Sequence, residues 1–177
     1  TWTIHTEKGD INCQYVVNAA GYYAQQVGEW FKPYGGRTVP MMVMSHQYLL
    51  SEEIPEIENH AKKSGKKLPL LRDVDISYYL RQEKNGFNLG PYEPNCKAHW
   101  ATEDDPMPDD FSFQLWNDDL DRIEDIVADA MERVPLLGTS GVSRIINGPS
   151  PYAPDGLPLI GPMPGGEKGY AAWGCTV

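Results

Sequence analysis

Two short stretches hold side chains able to move a proton or fix a charge. "SHQY", Ser45 to Tyr48, sets the imidazole of His46 and the phenol of Tyr48 in an otherwise apolar run. An imidazole titrates near neutral pH, so His46 can accept a proton or donate a hydrogen bond to a cofactor; a single strand histidine can equally be structural. "SYYLRQE", Ser77 to Glu83, alternates between two faces, with Ser77, Tyr79, Arg81 and Glu83 on one and Tyr78, Leu80 and Gln82 on the other. The first face offers a phenol and a guanidinium suited to a carboxylate. The alternative is an amphipathic strand whose Arg81 pairs with a surface acid, and periodicity does not choose between the faces.

Two further segments have the shape of ligand walls. "VVNAAG", Val16 to Gly21, reads as a buried strand ending in the small residues Ala19, Ala20 and Gly21 before a helix, where phosphates or a ribose can approach. A plain strand-helix turn reads the same way, and the dinucleotide fingerprint G-x-G-x-x-G is absent. "NGPSPYAPDGLPLIGP", Asn147 to Pro162, holds five prolines and three glycines in sixteen residues, a stiff segment containing Gly148, Pro149 and the acid Asp155. His5, His60 and His99 stand in no ligand-like spacing, so no metal site is expected. Without a Ser-His-Asp set, a carboxylate pair or a P-loop, hydrolase and kinase chemistry have no residues to stand on.

These residues need elements to hold them. Thr1 to Glu7 and "INCQYVV" read as a hairpin around "KGD", and Tyr22 to Phe31 as a helix ended by Pro33. Val39 to Glu52 is a largely apolar strand, Ile54 to Lys67 a charged connection, and Pro69 to Glu93 two strands around the Asn-Gly turn of "KNG". Cys96 to Asp110 reads as an acidic surface loop. Asp118 to Val134 is the clearest helix, with acids in its first turn, an apolar stripe through Ile123, Val127 and Ala130, and Pro135 beyond its end. It is expected to cover one face of the sheet made by the middle strands. The fold class expected is α+β.

At 177 residues, with 41% hydrophobic and 23% charged content, the chain has ordinary globular composition and no bilayer-spanning apolar run. A formal charge of −10 argues against a nucleic-acid partner. Cys13, Cys96 and Cys175, odd in number and without CxxC spacing, favour reduced thiols in a cytosol or organelle matrix. The opening at "TWTIHTE" without Met and the stop at "AAWGCTV" read as cuts from a longer protein.

In order, "VVNAAGYYAQQVGEW", "SHQYLLSEEIPEI", "LPLLRDVDISYYLRQEKNGFNLGPYE", "DLDRIEDIVADAMERVP" and "IINGPSPYAPDGLPLIGP" closely resemble the flavin-dependent amine oxidoreductases of the D-amino-acid-oxidase superfamily. Within it they are nearest to the dimethylglycine dehydrogenase/oxidase and sarcosine dehydrogenase group. The resemblance implies segments of a Rossmann-like FAD-binding domain at 1–36 and 143–177, around an antiparallel-sheet substrate domain with covering helices at 37–142. It implies FAD as cofactor, with tetrahydrofolate in a separate C-terminal domain of some relatives, and a small-molecule amine as substrate. The chemistry implied is oxidation of an N-methyl C–H by hydride transfer to flavin. His46 would handle the proton or orient the amine, Tyr78 or Tyr79 would position it, and Arg81 and Tyr48 would line the substrate cavity. Ala19, Ala20, Gly21, His46, Gly148, Pro149 and Gly174 would lie against the cofactor, and Asp155 would brace its loop. Other secondary amines such as N-methylaminobutyrate fit the same fold. So does the non-catalytic regulatory subunit of pyruvate dehydrogenase phosphatase. The isolated piece is expected to be inactive.

Overall fold

The computed structural model describes residues 1–102, 104–163 and the backbone of 170–172. The chain is α+β and divides into two compact units, one of Thr1–Met44, Ala98–Pro108 and Pro149–Val177, the other of Ser45–Lys97 and Asp109–Gly148.

The first unit opens with β1 (Trp2–Thr6) and β2 (Gly9–Cys13), paired antiparallel from Trp2↔Cys13 to Thr6↔Gly9. Gly9 takes φ 119°, a left-handed value that only glycine adopts without strain, which closes the turn. β2 stops at Cys13, so "YVVNAAG" runs on as irregular chain instead of continuing the strand. The helix expected over Tyr22 to Phe31 is a 3₁₀ turn at Gly21–Tyr23 followed by the six-residue α1 (Ala24–Glu29). Gly28 in α1 is required by contact: a Cβ there would sit 2.8 Å from the Val39 side chain. Trp2 packs edge-on against Phe31 and Tyr34, at 5.3 and 5.2 Å between ring centroids. β9 (Ile160–Pro162) and β10 (Tyr170–Ala172) pair antiparallel.

The main sheet has the order β4-β5-β6-β3-β7, with β8 (Val142–Tyr152) also pairing β3. Its strands are β3 (Met42–Ser51), β4 (Leu71–Asp73), β5 (Tyr78–Glu83), β6 (Gly86–Pro91) and β7 (Ala98–His99). β5 and β6 form the hairpin that "KNG" predicts, in register Glu83↔Gly86 and Tyr79↔Gly90. β4 and β7 are additions to the sequence reading. The three residues of β4 are too few to alternate visibly, and β7 forms within the supposed acidic loop by pairing with Val43 and Met44. β8 carries the expected strand on through Gly148 and Pro149 to Tyr152.

In the second unit one face of the sheet forms the core. Leu49 from β3, Tyr78 and Leu80 from β5, and Phe87 and Leu89 from β6 are all buried. They pack with Ile123, Val127 and Ala130, the last two on the helix α3 (Glu124–Arg133). α3 is shorter than its periodic pattern because a 3₁₀ turn at Leu120–Arg122 precedes it and Pro135 opens another after it. Ile54 to Lys67, expected as a connection, contains the helix α2 (Pro55–Ser64), which buries Ile57 in the same core. Local signals support it, though the N-cap position is the non-capping Ile54: Pro55 at the first turn, Glu56 and Glu58 at the start, Lys62 and Lys63 at the end, and Gly65 beyond it at φ 66°. Ile57 alone supplies the buried stripe, too thin a periodicity to stand out.

Candidate functional site

Strand alternation gives β3 two different sides. Val43, Ser45, Gln47 and Leu49 are buried, while Met44, His46, Tyr48 and Leu50 between them are only partly covered. In β5 the same rule buries Tyr78, Leu80 and Gln82 and leaves Tyr79, Arg81 and Glu83 on the face shared with Tyr48. Of the two candidate tyrosines, the structure therefore brings Tyr79 to that face and sends Tyr78, at 0% exposure, into the core. Opposite Tyr79 stands Gly90, and it must be glycine: a Cβ there would lie 2.1 Å from the Tyr79 ring. The phenol is thus laid flat against the middle of the sheet. Tyr92 meets Tyr79 edge-on at 6.0 Å, and the Arg72 guanidinium sits 4.9 Å above the Tyr92 ring. Burial holds the Tyr79 phenol above its ordinary pKa, against Arg81 and helped by Tyr92 and Tyr48, so it stays a hydrogen-bond donor.

Arg81 takes the bland option. It is exposed and pairs with Glu83 at 2.9 Å. With Tyr48 it borders a cleft of about 510 Å³, where Lys84 is the other cation and Glu52, Glu53 and Glu83 are the acids. That rim favours a cation over an anion.

His46 stands above a buried polar network. Its Nδ1 is buried without a hydrogen-bond partner and lies 3.7 Å from Oε1 of Glu93. The Glu93 side chain is wholly buried; its Oε1 accepts the Gln47 backbone N–H at 2.8 Å, and its Oε2 meets Nε of Arg122 at 2.5 Å. Arg122 is itself buried, and its Nη1 donates to Ser45 Oγ at 2.6 Å. Gln47 fixes the chain before α3 by accepting from Asp119 N at 2.8 Å and donating to Asp119 O at 2.9 Å. The polar residues that interrupt the apolar run of β3 are therefore the anchor of this network. Burial pushes the His46 pKa below its ordinary value; Glu93 opposes that shift and Arg122 reinforces it. His46 is therefore neutral at pH 7.

Cys96 completes a group with His46 and Glu93 whose ligand atoms lie within 4.8 Å of one another, a cluster that sequence spacing hides. Its chemistry suits a metal poorly. Arg122 already occupies Glu93, and burial raises the Cys96 pKa, keeping the thiol protonated. Glu93, Arg122 and Gly90 all escape the sequence reading. "GPYE" and "DLDR" carry no pattern that ties them to His46.

The residues expected near a cofactor fall in both units. Ala19, Ala20 and Gly21 form a turn in the first unit, where Asn18, 1% exposed, accepts from Ala20 N and donates to Ala24 O. A Cβ on Gly21, at φ 60°, would meet nothing within 4 Å. Pro149 also belongs to this unit, and Gly148 to the second, where a Cβ would come 3.1 Å from Leu115. Asp155 accepts from Leu157 N at 3.0 Å, bracing its turn as expected. Gly174 lies outside the described residues.

Residues 1–176 match the family model described as FAD dependent oxidoreductase. The chain belongs to that family. Among this family's members it is 39% identical to mitochondrial dimethylglycine dehydrogenase of Mus musculus, over 98% of this chain and 19% of that protein. It is 34% identical to mitochondrial sarcosine dehydrogenase of the same organism, over 91% and 16%. The solved L-proline dehydrogenase of P. horikoshii shares the fold at TM-score 0.67 and 19% identity, over 98% of this chain and 40% of that one. The chain thus spans about a fifth or less of the length of these two curated relatives. The second unit's surface suits the family's cofactor as one wall. The rings of Tyr48, Tyr79 and Tyr92 give a π-rich surface fit for a planar ring system, and the half-buried imidazole of His46 lies on the same side of β3 as Tyr48.

Proposed function

We propose that this chain is part of an FAD-dependent oxidoreductase that oxidises the N-methyl group of a small amino acid of the dimethylglycine or sarcosine type. The observation that carries the reading is His46, neutral and half-buried on the sheet surface that also presents Tyr48 and Tyr79. Identity to dimethylglycine and sarcosine dehydrogenases supports the substrate class. On this reading Ala19, Ala20, Gly21, Gly148 and Pro149 serve the cofactor, and His46 serves both cofactor and substrate.

An N-methyl amino acid arrives as an ammonium, and its lone pair must be freed before the methyl C–H can break. His46 takes that proton. Tyr79, kept protonated, donates a hydrogen bond to orient the substrate, and Tyr48 closes the cavity side. Bound flavin supplies the hydride acceptor. The C–H electron pair would then pass to that acceptor as hydride, while the freed nitrogen lone pair closes the substrate iminium. The acidic rim around Arg81 favours the cationic amine. Free Cys13 and Cys96 fit a reducing compartment, cytoplasm or mitochondrial matrix. Among the described residues no helix is long and apolar enough to cross a membrane.

The test is anaerobic mixing of the flavin-loaded protein containing this chain with dimethylglycine and with sarcosine, following flavin bleaching. His46→Ala is expected to slow that bleaching by about 100- to 10,000-fold, the range of general-base loss. A bound flavin that no N-methyl amino acid reduces would instead favour a regulatory homologue.

A further inference from the structure

Neutral imidazole has two tautomers, and the one carrying its proton on the wrong nitrogen offers no lone pair where it is needed. Nδ1 of His46 is buried, and no hydrogen-bond partner satisfies it. Oε1 of Glu93 lies 3.7 Å away. That oxygen is itself held in place: the Gln47 N–H fixes it from β3, while Arg122 fixes the other carboxylate oxygen. Arg122 in turn is held by Ser45 on the same strand. Every contact that orients the carboxylate thus comes from β3 itself or from the turn packed beneath it.

A buried ion pair of this kind costs desolvation, and a well-packed apolar pair would cost less. Its placement under one half-buried histidine is what stability alone leaves unaccounted for. We propose that Glu93, clamped by Arg122, is a positioning residue that keeps the His46 proton on Nδ1 and leaves Nε2 as the proton acceptor. This deepens the reading of His46 as base and rests on it. The charged and titratable groups around the ring are Glu93 and Cys96 after β6 and Arg122 before α3. Asp119 lies 4.0 Å beyond, from Arg122, and is paired with Lys97; Tyr48 is the next residue on the same side of β3.

Glu93→Gln keeps the shape but removes the charge. In the flavin-loaded protein it is expected to slow flavin reduction by N-methyl substrate about 10- to 100-fold, by analogy with the loss of carboxylate partners that orient metal-bound histidines. With Glu93 gone and Arg122 left, the acid limb of the reduction rate moves to lower pH. Glu93→Asp recovers part of the rate. Wild-type rate and an unmoved acid limb in Glu93→Gln overturn the proposal. ¹⁵N NMR of the imidazole in the wild-type holoprotein gives a second readout that needs no variant to fold. A protonated Nδ1 with a free Nε2 supports the assignment, and a protonated Nε2 overturns it. If His46→Ala reduces normally while the NMR shows the Nδ1–H tautomer, the base reading fails and the positioning of the ring by Glu93 stands.

Discussion

Tyr78 and Tyr79 are neighbours with the same side chain, and the sheet treats them oppositely. Tyr78 is fully buried among Leu80, Leu89 and Val127, while Tyr79 lies over Gly90 on the other face with Tyr92 at its edge. The two faces obey different rules. On the core face the two buried glutamines are consumed by structure: Gln47 grips both backbone atoms of Asp119, and Gln82 accepts from Leu68 N and donates to Lys84 O. On the other face Met44, His46, Tyr48 and Leu50 are half-buried, and the Tyr79 ring rests against a missing side chain. One face spends its chemistry on stability and the other reserves it.

Substitutions can break that division. Leu89→Ala, at a fully buried core-face position, should cost about 2–5 kcal/mol of unfolding free energy, read from urea denaturation. Once folded, such a variant should keep the substrate preference of the wild type. Gly90→Ala adds one methyl group on the opposite face and must lift the Tyr79 ring. Its expected signature is kinetic, a roughly 10- to 100-fold slower flavin reduction, with the slope of the denaturation curve unchanged. A wild-type rate there would detach Tyr79 from the chemistry.

A pH titration sharpens the same contrast. His46 has a folded pKa below its ordinary value, so the unfolded chain binds the extra proton first as pH falls. Its contribution to stability is present above about pH 6.5 and is lost on acidification through the lowered folded pKa. His46→Gln should flatten the stability profile in that window, measured by thermal melts across pH. The smallest effect belongs to Arg81→Ala. Its exposed pair with Glu83 should change stability by less than about 1 kcal/mol. A large rise in substrate KM there would reinstate Arg81 as a carboxylate anchor.

Much of this is legible in the sequence alone. The Asn-Gly hairpin, the strand bearing His46 and the helix through Val127 and Ala130 all announce themselves, because turn chemistry and periodicity are local. α2 and β7 did not. The apolar stripe of α2 is a single residue, and β7 exists only through its pairing with Val43 and Met44. The site divides the same way. His46, Tyr48 and Tyr79 are visible as residue types able to do chemistry, whereas Glu93 and Arg122 look like ordinary surface charges in the string of letters.

Alternation along β5 dictates that Tyr78 and Tyr79 point apart, and the ordered motifs dictate the family. Which face became core, and which charges were buried beneath His46, belongs to the tertiary fold. Alternation carries no sign, and the Gln47–Glu93 hydrogen bond and the Glu93–Arg122 ion pair join residues far apart in the chain. Only packing α3 against one side of the sheet could choose the side and draw Arg122 under the histidine.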